Sequence, residues 1–317
     1  MTLPTKPLGR SGLAVPPVVI GGNVFGWTAD IATSLKLLDA ALAGGLNAID
    51  TADMYSTWVE GHTGGESEAI IGAWMKERGN RNQVLIFTKV GMAMGDIPAS
   101  LSRRRILAAV DASLTRLQTS HIDLYQAHQD DPQTPLEETL STFAELIKAG
   151  KVRAIGASNY SAPRLKQALE TAQAHHLPRY ESLQPLYNLM ERPAFEAELR
   201  DLCLRESLGV INYYALASGF LTGKYRSEAD CTGGRGVAAR QYLATEKGRK
   251  VLAALLAQAD RLGAQPSEIT IAWCRQKPGI TAPIASATSL KQMESLIRAA
   301  SLHLDDEAMA ALDAASA

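Results

Sequence analysis

The sequence lacks the features of a membrane protein, of a disulfide-stabilised secreted protein and of a nucleic-acid-binding protein. No uninterrupted apolar stretch reaches the about 20 residues that a transmembrane helix needs. The cysteines Cys203, Cys231 and Cys274 are few, scattered and odd in number, which argues against a disulfide framework. The 32 lysines and arginines nearly balance 33 aspartates and glutamates and form no basic block, so no nucleic-acid partner is expected.

The first residues of the chain contain no apolar segment of the kind that a secretory signal requires. Unpaired cysteines fit a reducing compartment. We therefore expect a cytoplasmic protein without a membrane partner, whose cysteines lie in the core or in loops.

What the sequence does contain is a long alternation of two patterns. The chain has 317 residues, 46% of them hydrophobic, which suits one large α/β domain or two smaller ones. Short apolar runs alternate with segments whose apolar residues recur every three or four positions, as in Leu136, Leu140 and Phe143. The runs predict strands at Val18–Gly21, Leu46–Asp50, Val84–Lys89, Ile122–His128, Val152–Ala157, Glu181–Pro185, Val210–Tyr214 and Ile280–Ala285. The longer segments predict helices at Thr33–Ala43, Glu66–Arg78, Arg103–Leu117, Leu136–Ala149, Ala162–Ala174, Ala194–Glu206, Ser267–Gln276 and Leu290–Ala300.

Eight strands that alternate with helices indicate a parallel sheet with helical crossovers. A (β/α)8 barrel and a doubly wound open sheet both satisfy that count. Outside the alternation, Ala215–Leu243 is predicted to be a long surface loop, and Thr245–Leu262 and Asp305–Ala315 are predicted to be extra helices. No segment resembles a linker, so residues 1–317 are expected to form a single domain.

Ionisable residues end three consecutive predicted strands. Asp50 ends the second, Lys89 the third and His128 the fourth, and Tyr55 follows Asp50 within the same turn. Lys89 lies 39 residues after Asp50, and His128 lies 39 residues after Lys89. This equal spacing predicts that the three side chains lie at the same height, at the carboxyl ends of adjacent strands, where barrel enzymes carry their active sites.

Such a cluster suits acid–base chemistry on a carbonyl group. A tyrosine phenol has a pKa of about 10, and a neighbouring lysine ammonium favours the phenolate and lowers that pKa. Asp50 would keep Lys89 charged, and His128 would polarise a substrate carbonyl. Tyr55 is then a general acid towards the carbonyl oxygen. Each residue alone would equally suit a helix cap or a solvated loop, but the matched spacing favours a site.

A glycine-rich segment offers a different cofactor motif. Gly234-Arg-Gly-Val-Ala-Ala239 fits the pattern G-x-G-x-x-A, which in a dinucleotide-binding fold must follow a strand and open a helix. Here it lies in the predicted surface loop. We interpret it as a flexible segment that covers the cofactor as a lid.

Several segments resemble the aldo-keto reductase family. They are Asp50-Thr-Ala-Asp-Met-Tyr55, Thr88-Lys89, Asp123-Leu-Tyr-Gln-Ala-His128, Gly150-Lys-Val-Arg-Ala-Ile-Gly-Ala-Ser-Asn159, Leu183-Gln-Pro-Leu-Tyr-Asn188 and Gly219-Phe-Leu-Thr-Gly-Lys-Tyr225. The likeness extends from about Leu8 to the C-terminus, and the segments stand in the family's order. The resemblance implies a (β/α)8 barrel that binds NADP(H) across its mouth, holds no metal and reduces aldehydes or ketones to alcohols.

The resemblance also implies roles for individual residues. The catalytic group is Asp50, Tyr55, Lys89 and His128, with Tyr55 as the acid. The residues that match cofactor contacts are Ser158, Asn159 and Gln184 at the nicotinamide carboxamide, Tyr213 stacked on the nicotinamide ring, and Leu216, Ser218, Leu221 and Lys224 along the pyrophosphate. Amide and hydroxyl groups suit a carboxamide because they both donate and accept hydrogen bonds.

The last predicted loop departs from the family's pattern. Thr288 stands where a basic residue often binds the 2'-phosphate, and Leu296 stands where an asparagine often contacts the adenine. Ser286, Thr288, Lys291 and Gln292 remain as phosphate ligands, so the preference for NADPH over NADH follows from the family alone.

The substrate is expected to be a small carbonyl compound or alcohol. Trp27 and Trp58 are candidate pocket walls, which suit an apolar or ring-shaped substrate. Both a monomer and a homo-oligomer are compatible with the sequence.

Two other functions stay open. One is a non-catalytic NADP-binding regulator, like the barrel subunits of potassium channels; the complete catalytic group and the absence of an added N-terminal segment favour an enzyme instead. The other is a lyase that forms a Schiff base through Lys89, which would need a neutral lysine. Asp50 would instead keep Lys89 charged.

Overall fold

A small hairpin precedes eight parallel strands in the computed structural model, which describes residues 3–317. The hairpin consists of β1 (Lys6–Pro7) and β2 (Ala14–Val15), which pair antiparallel. The parallel strands are β3 (Val19–Gly21), β4 (Ala48–Asp50), β5 (Leu85–Val90), β6 (Ile122–Ala127), β7 (Val152–Ser158), β8 (Ser182–Gln184), β9 (Gly209–Val210) and β10 (Ile284–Ala285). They neighbour one another in chain order from β3 to β9, and β10 pairs with β3.

Backbone hydrogen bonds between the segments that contain β9 and β10 close the sheet. Thr281 donates its N–H to the Val210 carbonyl at 2.8 Å, and Ile284 donates its N–H to the Asn212 carbonyl at 2.8 Å. A closed sheet has no exposed edge strand, whereas a doubly wound sheet would have two. The fold is therefore the predicted (β/α)8 barrel.

The hairpin closes the amino-terminal end of the barrel. Its buried Leu8 and Leu13 belong to the same apolar cluster as Phe87 and Ile211 of the barrel interior. Gly209 has to be glycine here, because a Cβ atom at that position would overlap Leu8. This apolar cluster fills the barrel interior at its amino-terminal end. The sequence analysis did not predict the hairpin.

Eleven α-helices surround the barrel within residues 3–317. They are α1 (Ile31–Ala43), α2 (Glu66–Arg78), α3 (Arg103–Leu117), α4 (Leu136–Lys148), α5 (Ala162–Ala174), α6 (Arg200–Arg205), α7 (Gly233–Ala244), α8 (Glu246–Leu262), α9 (Pro266–Gln276), α10 (Leu290–Ser301) and α11 (Asp306–Ala315). Their apolar faces pack on the outward-facing strand residues in one continuous core. None of the helices in this part of the chain is long and apolar enough to cross a bilayer.

Most predicted elements are present, and the strands are generally shorter than predicted. Two predicted segments have a different secondary structure. The predicted helix Ala194–Glu206 is a π-helical turn, Phe195–Leu199, followed by α6. The predicted loop Ala215–Leu243 contains two 3₁₀ turns, Ala217–Thr222 and Glu228–Asp230, and most of α7. The prediction of a loop was wrong because glycine lowers helix propensity locally, whereas packing stabilises this helix.

The packing of α7 explains the glycine at position 236 and the place of this helix in the fold. Ala239 is buried, and a Cβ atom at Gly236 would overlap the backbone of Cys231. The G-x-G-x-x-A segment therefore does open a helix, but the helix follows a 3₁₀ turn rather than a strand. This context is not that of a dinucleotide-binding βαβ unit.

Candidate active site

A buried lysine organises the polar side chains at the carboxyl end of the barrel. Side chains alternate along β5, so Phe87 points into the apolar interior and Lys89, two residues further on, into the polar layer above it. The Lys89 Nζ atom donates to Asp50 Oδ2 at 2.6 Å, to the Thr51 carbonyl at 2.7 Å and to the Tyr55 hydroxyl at 3.2 Å. Lys89 is 0% exposed, so its three protons all have partners without water.

Asp50, Lys89 and His128 lie at the carboxyl ends of three adjacent strands, but they do not face one another directly across the sheet. Asp50 lies opposite Phe87, and Lys89 lies opposite Gln126. Lys89 lies two residues further along its strand than Phe87, and His128 lies two residues further along than Gln126. Barrel strands tilt relative to the barrel axis, so a stagger of this kind is needed for side chains to converge.

Two amides complete the hydrogen bonds of the Asp50 carboxylate. Gln184 donates to Asp50 Oδ1 at 2.9 Å and Gln126 donates to the same oxygen at 3.3 Å. The two amides also contact each other at 3.2 Å. Gln126 was missing from the predicted site, although its position two residues before His128 on β6 gives it the same inward direction.

Burial and charge set the protonation of Tyr55 and His128. Burial raises the pKa of the Tyr55 phenol above 10.0, and the Lys89 ammonium opposes that shift. The predicted lowering by Lys89 is thus present, but burial outweighs it in the protein alone. Burial, together with the Lys89 charge, holds the pKa of His128 well below 6.5. The imidazole is therefore neutral near pH 7, and its ring centroid lies 6.0 Å from that of Tyr55.

Lys89 itself stays protonated. Burial disfavours its charge, but the Asp50 carboxylate and the Tyr55 hydroxyl outweigh burial and raise the pKa of Lys89 above 10.5. A Schiff-base nucleophile needs the neutral amine. The contacts of Lys89 therefore favour a role as a charge and a hydrogen-bond donor.

The loop that carries Tyr55 is fixed by one carboxylate. Glu66, at the start of α2, accepts hydrogen bonds from the backbone N–H groups of Ser56 at 3.2 Å and Thr63 at 2.8 Å. Trp58 of this loop packs edge to face on Tyr55 and on Trp27, with ring centroids 5.6 and 5.7 Å apart. Trp58 therefore contacts the predicted proton donor, Trp27 contacts Trp58, and both tryptophans are exposed.

The residues predicted for the nicotinamide lie together at the ends of β7, β8 and β9. The Tyr213 hydroxyl donates to Asn159 Oδ1 at 2.8 Å, and Asn159 Nδ2 donates to the His128 carbonyl at 2.9 Å. The Ser158 hydroxyl donates to the Gln184 carbonyl at 2.9 Å. These bonds connect the four residues to the catalytic group through His128 and through the Gln184 contact with Asp50.

The segment predicted for the pyrophosphate has an irregular backbone. Ser218 has a φ of 55° and Gly219 a φ of 91°, which interrupt the 3₁₀ turn that contains them. Leu216 is partly buried, and Lys224 is exposed with its Nζ atom 4.7 Å from the centroid of the Tyr225 ring. Leu221 is completely buried and its carbonyl accepts a hydrogen bond from Thr270, so it lies in the core beneath the segment.

Tyr214 is a residue that the sequence analysis missed. It follows Tyr213, is 56% exposed and has a left-handed backbone with a φ of 59°. Asn188 donates to its carbonyl at 3.0 Å and Ala217 donates to the same carbonyl at 2.8 Å, which holds this unusual conformation. Its ring packs edge to face on Tyr213, so it adds a third exposed aromatic residue to the barrel mouth. The two adjacent tyrosines that follow the strand were the sequence feature that could have identified this residue.

The predicted phosphate ligands lie around the start of α10. Ser289 caps this helix by accepting the Gln292 N–H at 3.3 Å, and Gln292 Oε1 accepts the Thr288 N–H at 2.8 Å. Ser286 donates to Asn23 at 2.6 Å, and Lys291 is exposed and forms no ion pair within residues 3–317. The four ligands are thus close in the chain, but three of them also bond to the protein itself.

Fold and site together define a (β/α)8 barrel with a buried aspartate–lysine–tyrosine cluster at the carboxyl end of its strands. The sequence profile of the aldo/keto reductase family matches residues 17–317, and the chain belongs to that family. The resemblance seen in the sequence is thereby confirmed.

Individual relatives cover nearly the whole chain. Protein tas of Escherichia coli (strain K12) is 31% identical in an alignment 330 residues long, gaps included. The alignment covers 96% of this chain and 95% of the relative. The uncharacterized oxidoreductase YrpG of Bacillus subtilis (strain 168) is 34% identical over 314 residues, with 96% and 94% covered. A putative voltage-gated potassium channel subunit beta of Schizosaccharomyces pombe is 32% identical over 309 residues, with 94% and 88% covered.

Proposed function

We propose that this protein is an NADPH-dependent reductase that converts aldehydes or ketones to alcohols, and that it works as a single barrel domain. The observation that carries the proposal is the contact between the Lys89 ammonium and the Tyr55 hydroxyl at the open end of the barrel. This geometry gives a phenol that can release a proton while a fixed positive charge stabilises the phenolate that remains.

Four residues have separate roles in the proposed reaction. Tyr55 donates its proton to the carbonyl oxygen of the substrate. Lys89 stabilises the resulting phenolate, and Asp50 keeps Lys89 charged and in place. His128 stays neutral and donates a hydrogen bond that orients the carbonyl, which favours charge development on oxygen. Bound NADPH supplies the hydride.

The polar groups at the barrel mouth suit this cofactor. His128 Nδ1 is buried without a partner among the described residues, so the inner end of the site offers a polar atom to a bound molecule. Ser158, Asn159 and Gln184 would hold the carboxamide and Tyr213 the ring face. Leu216, Ser218 and Lys224 would lie along the pyrophosphate.

The start of α10 would hold the 2'-phosphate. Lys291 supplies the charge, and Ser286, Thr288 and Gln292 supply polar groups. A helix N-terminus with free N–H groups favours an anion without many charged side chains.

The walls of the site suggest the substrate class. Trp27 and Trp58 form an aromatic surface, and Trp58 contacts Tyr55 directly. Apolar and ring-shaped carbonyl compounds should therefore be preferred to charged ones.

Replacement of Tyr55 by phenylalanine tests the proposal. Because general acid catalysis contributes about 10²–10⁴-fold, Tyr55→Phe should lower kcat by about that factor and leave NADPH affinity nearly unchanged. The measurement is loss of NADPH absorbance across a panel of aromatic and aliphatic carbonyl compounds, with cofactor affinity from fluorescence. Tyr187→Phe, which removes a phenol bonded to Glu196 in the outer layer, is the matched control. Wild-type turnover in Tyr55→Phe would remove Tyr55 from the mechanism.

A regulatory role is the second candidate because two relatives carry the name of a channel subunit. A regulator would bind NADPH but consume no carbonyl compound in the same panel. Turnover by the wild-type protein decides between the two functions.

A further inference from the structure

Three buried side chains at the carboxyl end of the barrel form a triangle of hydrogen bonds. Gln184 Nε2 donates to Asp50 Oδ1 at 2.9 Å and to Gln126 Oε1 at 3.2 Å, and Gln126 Nε2 donates to Asp50 Oδ1 at 3.3 Å. All three residues are at most 2% exposed. Gln184 and Asp50 have roles in the proposed reaction, whereas Gln126 has none so far.

The Asp50 carboxylate determines which end of each amide faces it. Its other oxygen, Oδ2, accepts a hydrogen bond from the Lys89 ammonium at 2.6 Å, and a carboxylate in such an ion pair has no proton to donate. Both glutamines must therefore turn their NH2 groups towards Asp50 Oδ1. Gln126, in this orientation, presents its Oε1 atom to Gln184.

Both amide protons of Gln184 are consequently used, one by Asp50 and one by Gln126. Gln184 Oε1 accepts no hydrogen bond within residues 3–317, and it is not one of the partnerless polar atoms that are completely enclosed. The amide therefore offers a molecule in the site an acceptor and no donor. Two hydrogen bonds fix this orientation, whereas the bond to Asp50 alone would allow the amide to turn about it.

The other two side chains proposed for the carboxamide are bonded within the protein. Asn159 Oδ1 accepts a hydrogen bond from the Tyr213 hydroxyl at 2.8 Å, and the Ser158 hydroxyl donates to the Gln184 carbonyl and accepts from Asn159 Nδ2 at 3.1 Å. Within the described part of the chain, Gln184 Oε1 is thus the acceptor of this group that has no partner. A ligand group that meets it has to be a donor.

We infer that Gln126 is a positioning residue: together with Asp50 it takes both amide protons of Gln184, so that Gln184 can only accept a hydrogen bond, from the amine of the nicotinamide carboxamide. The inference rests on the proposed function because it concerns how that cofactor is recognised. Gln126 does not touch the cofactor itself. It acts by leaving no donor at this position, so a carbonyl oxygen turned towards Gln184 is disfavoured.

Two cofactor analogues test which group of the carboxamide Gln184 contacts. The 3-acetylpyridine analogue of NADP⁺ has a methyl group in place of the amine, and the thionicotinamide analogue keeps the amine but has sulfur in place of the oxygen. The wild-type protein should bind the acetylpyridine analogue about tenfold less tightly than NADP⁺, because the buried acceptor loses its donor. Dissociation constants from protein fluorescence, measured without substrate, give this ratio. Equal affinities for NADP⁺ and the acetylpyridine analogue would overturn the inference.

Gln126→Met tests the positioning role itself. Methionine has a similar length but cannot take the Gln184 proton, so the amide can turn one N–H towards the acetyl oxygen while the other stays on Asp50. The tenfold penalty for the acetylpyridine analogue should then fall below about threefold, and the affinity for the thionicotinamide analogue relative to NADP⁺ should not change. A role in packing alone would weaken all three cofactors by the same factor. An acetylpyridine penalty as large as in the wild type would therefore refute the role.

Three further variants serve as a substitute, a restoration and a control. Gln126→Asn, one methylene shorter, withdraws the acceptor with less change of shape and should lower the penalty even if Gln126→Met does not fold. Gln126→Glu places a carboxyl beside the Asp50 carboxylate, which favours its neutral form. That form donates to Asp50 and accepts from Gln184, so the penalty should return; a penalty that stays low would contradict the role. Gln258→Met, at a largely buried glutamine bonded to Arg261 on α8, should keep the wild-type ratios. Altered ratios in this control would show a general effect and overturn the inference.

Hydrogen exchange of the Gln184 side-chain amide needs no cofactor. In protein with ¹⁵N-labelled glutamine, the signal that Gln184→Leu removes identifies this amide. Both of its protons should exchange slowly in the wild type, because both are buried and bonded, and exchange should speed up in Gln126→Met. Unchanged exchange would overturn the anchoring by Gln126. If NADP⁺ does not bind at all, the proposed function fails, and the exchange rates still test the role of Gln126.

Discussion

At the scale of single residues, Lys89 determines what the site can do. Its ammonium is completely buried, so its charge depends on Asp50 and on the oxygens of Thr51 and Tyr55. A buried charge of this kind acts strongly on a neighbour because the surrounding dielectric is low. It is also the part of the site that a substitution disturbs most, since its loss leaves Asp50 buried without a cation.

Replacement of Lys89 by methionine tests the electrostatic role. Lys89→Met removes the charge that opposes the raised pKa of Tyr55, so the alkaline limb of alcohol oxidation should move to higher pH and most of the activity should be lost. The pH profile of NADP⁺ reduction is the measurement. Breaking a buried pair costs about 3–5 kcal/mol, so the double variant Asp50→Asn, Lys89→Met is needed to separate catalysis from folding. An unchanged limb in an active variant would count against the role.

At the scale of elements, the N-terminus of α10 offers an anion backbone N–H groups and a helix dipole at a place where Lys291 is the one charged side chain among the four predicted phosphate ligands. Ser289 and Gln292 satisfy two backbone N–H groups, and the exposed Lys291 lies in the first turn. The helix dipole adds partial positive charge at the same place. We expect this arrangement to give a modest preference for NADPH over NADH.

Lys291→Ala tests that preference. The variant should bind NADPH less tightly by about 1.5–3 kcal/mol, the value of a hydrogen bond to a charged group, and should bind NADH almost as before. Dissociation constants for both cofactors are measured by fluorescence. Lys166→Ala, on the exposed face of α5 and paired with Glu170, controls for loss of surface charge. An equal loss of affinity for both cofactors, or no loss for either, would show that Lys291 does not determine the cofactor preference.

At the scale of the whole molecule, the hairpin that closes the barrel and the candidate active site lie at opposite ends of the barrel. The β1–β2 hairpin fills the amino-terminal end with Leu8 and Leu13, and the loops after the strands build the site. The two ends are separated by the apolar layer that contains Phe87. A cavity at the bottom should therefore weaken the fold without changing the active site.

Leu8→Ala tests this separation. Removal of a fully buried leucine side chain should lower the free energy of unfolding by about 2–5 kcal/mol, and kcat of the folded enzyme should change little. Urea unfolding and steady-state kinetics give the two quantities. Leu204→Ala, at a position that is 51% exposed, is the matched control and should be nearly neutral. A large loss of kcat with unchanged stability would show that the hairpin acts on the site.

The sequence by itself determined the alternation of strands and helices and indicated the ionisable residues that meet at the carboxyl end of the barrel. Both are local signals: apolar periodicity sets each element, and the ionisable residues stand where strands end. The same local reasoning misread α7, because its glycines weaken the helical pattern while its stability comes from packing against the rest of the fold.

Only the tertiary structure decided which side chains meet. Gln184 lies 134 residues from Asp50, and Arg105 lies 52 residues from Asp53, yet both pairs are in hydrogen-bond contact. Closure of the sheet and the stagger of Lys89 and His128 likewise depend on hydrogen bonds between distant strands. Strand tilt and barrel closure set these pairings for the whole ring at once, so no single segment of sequence contains them.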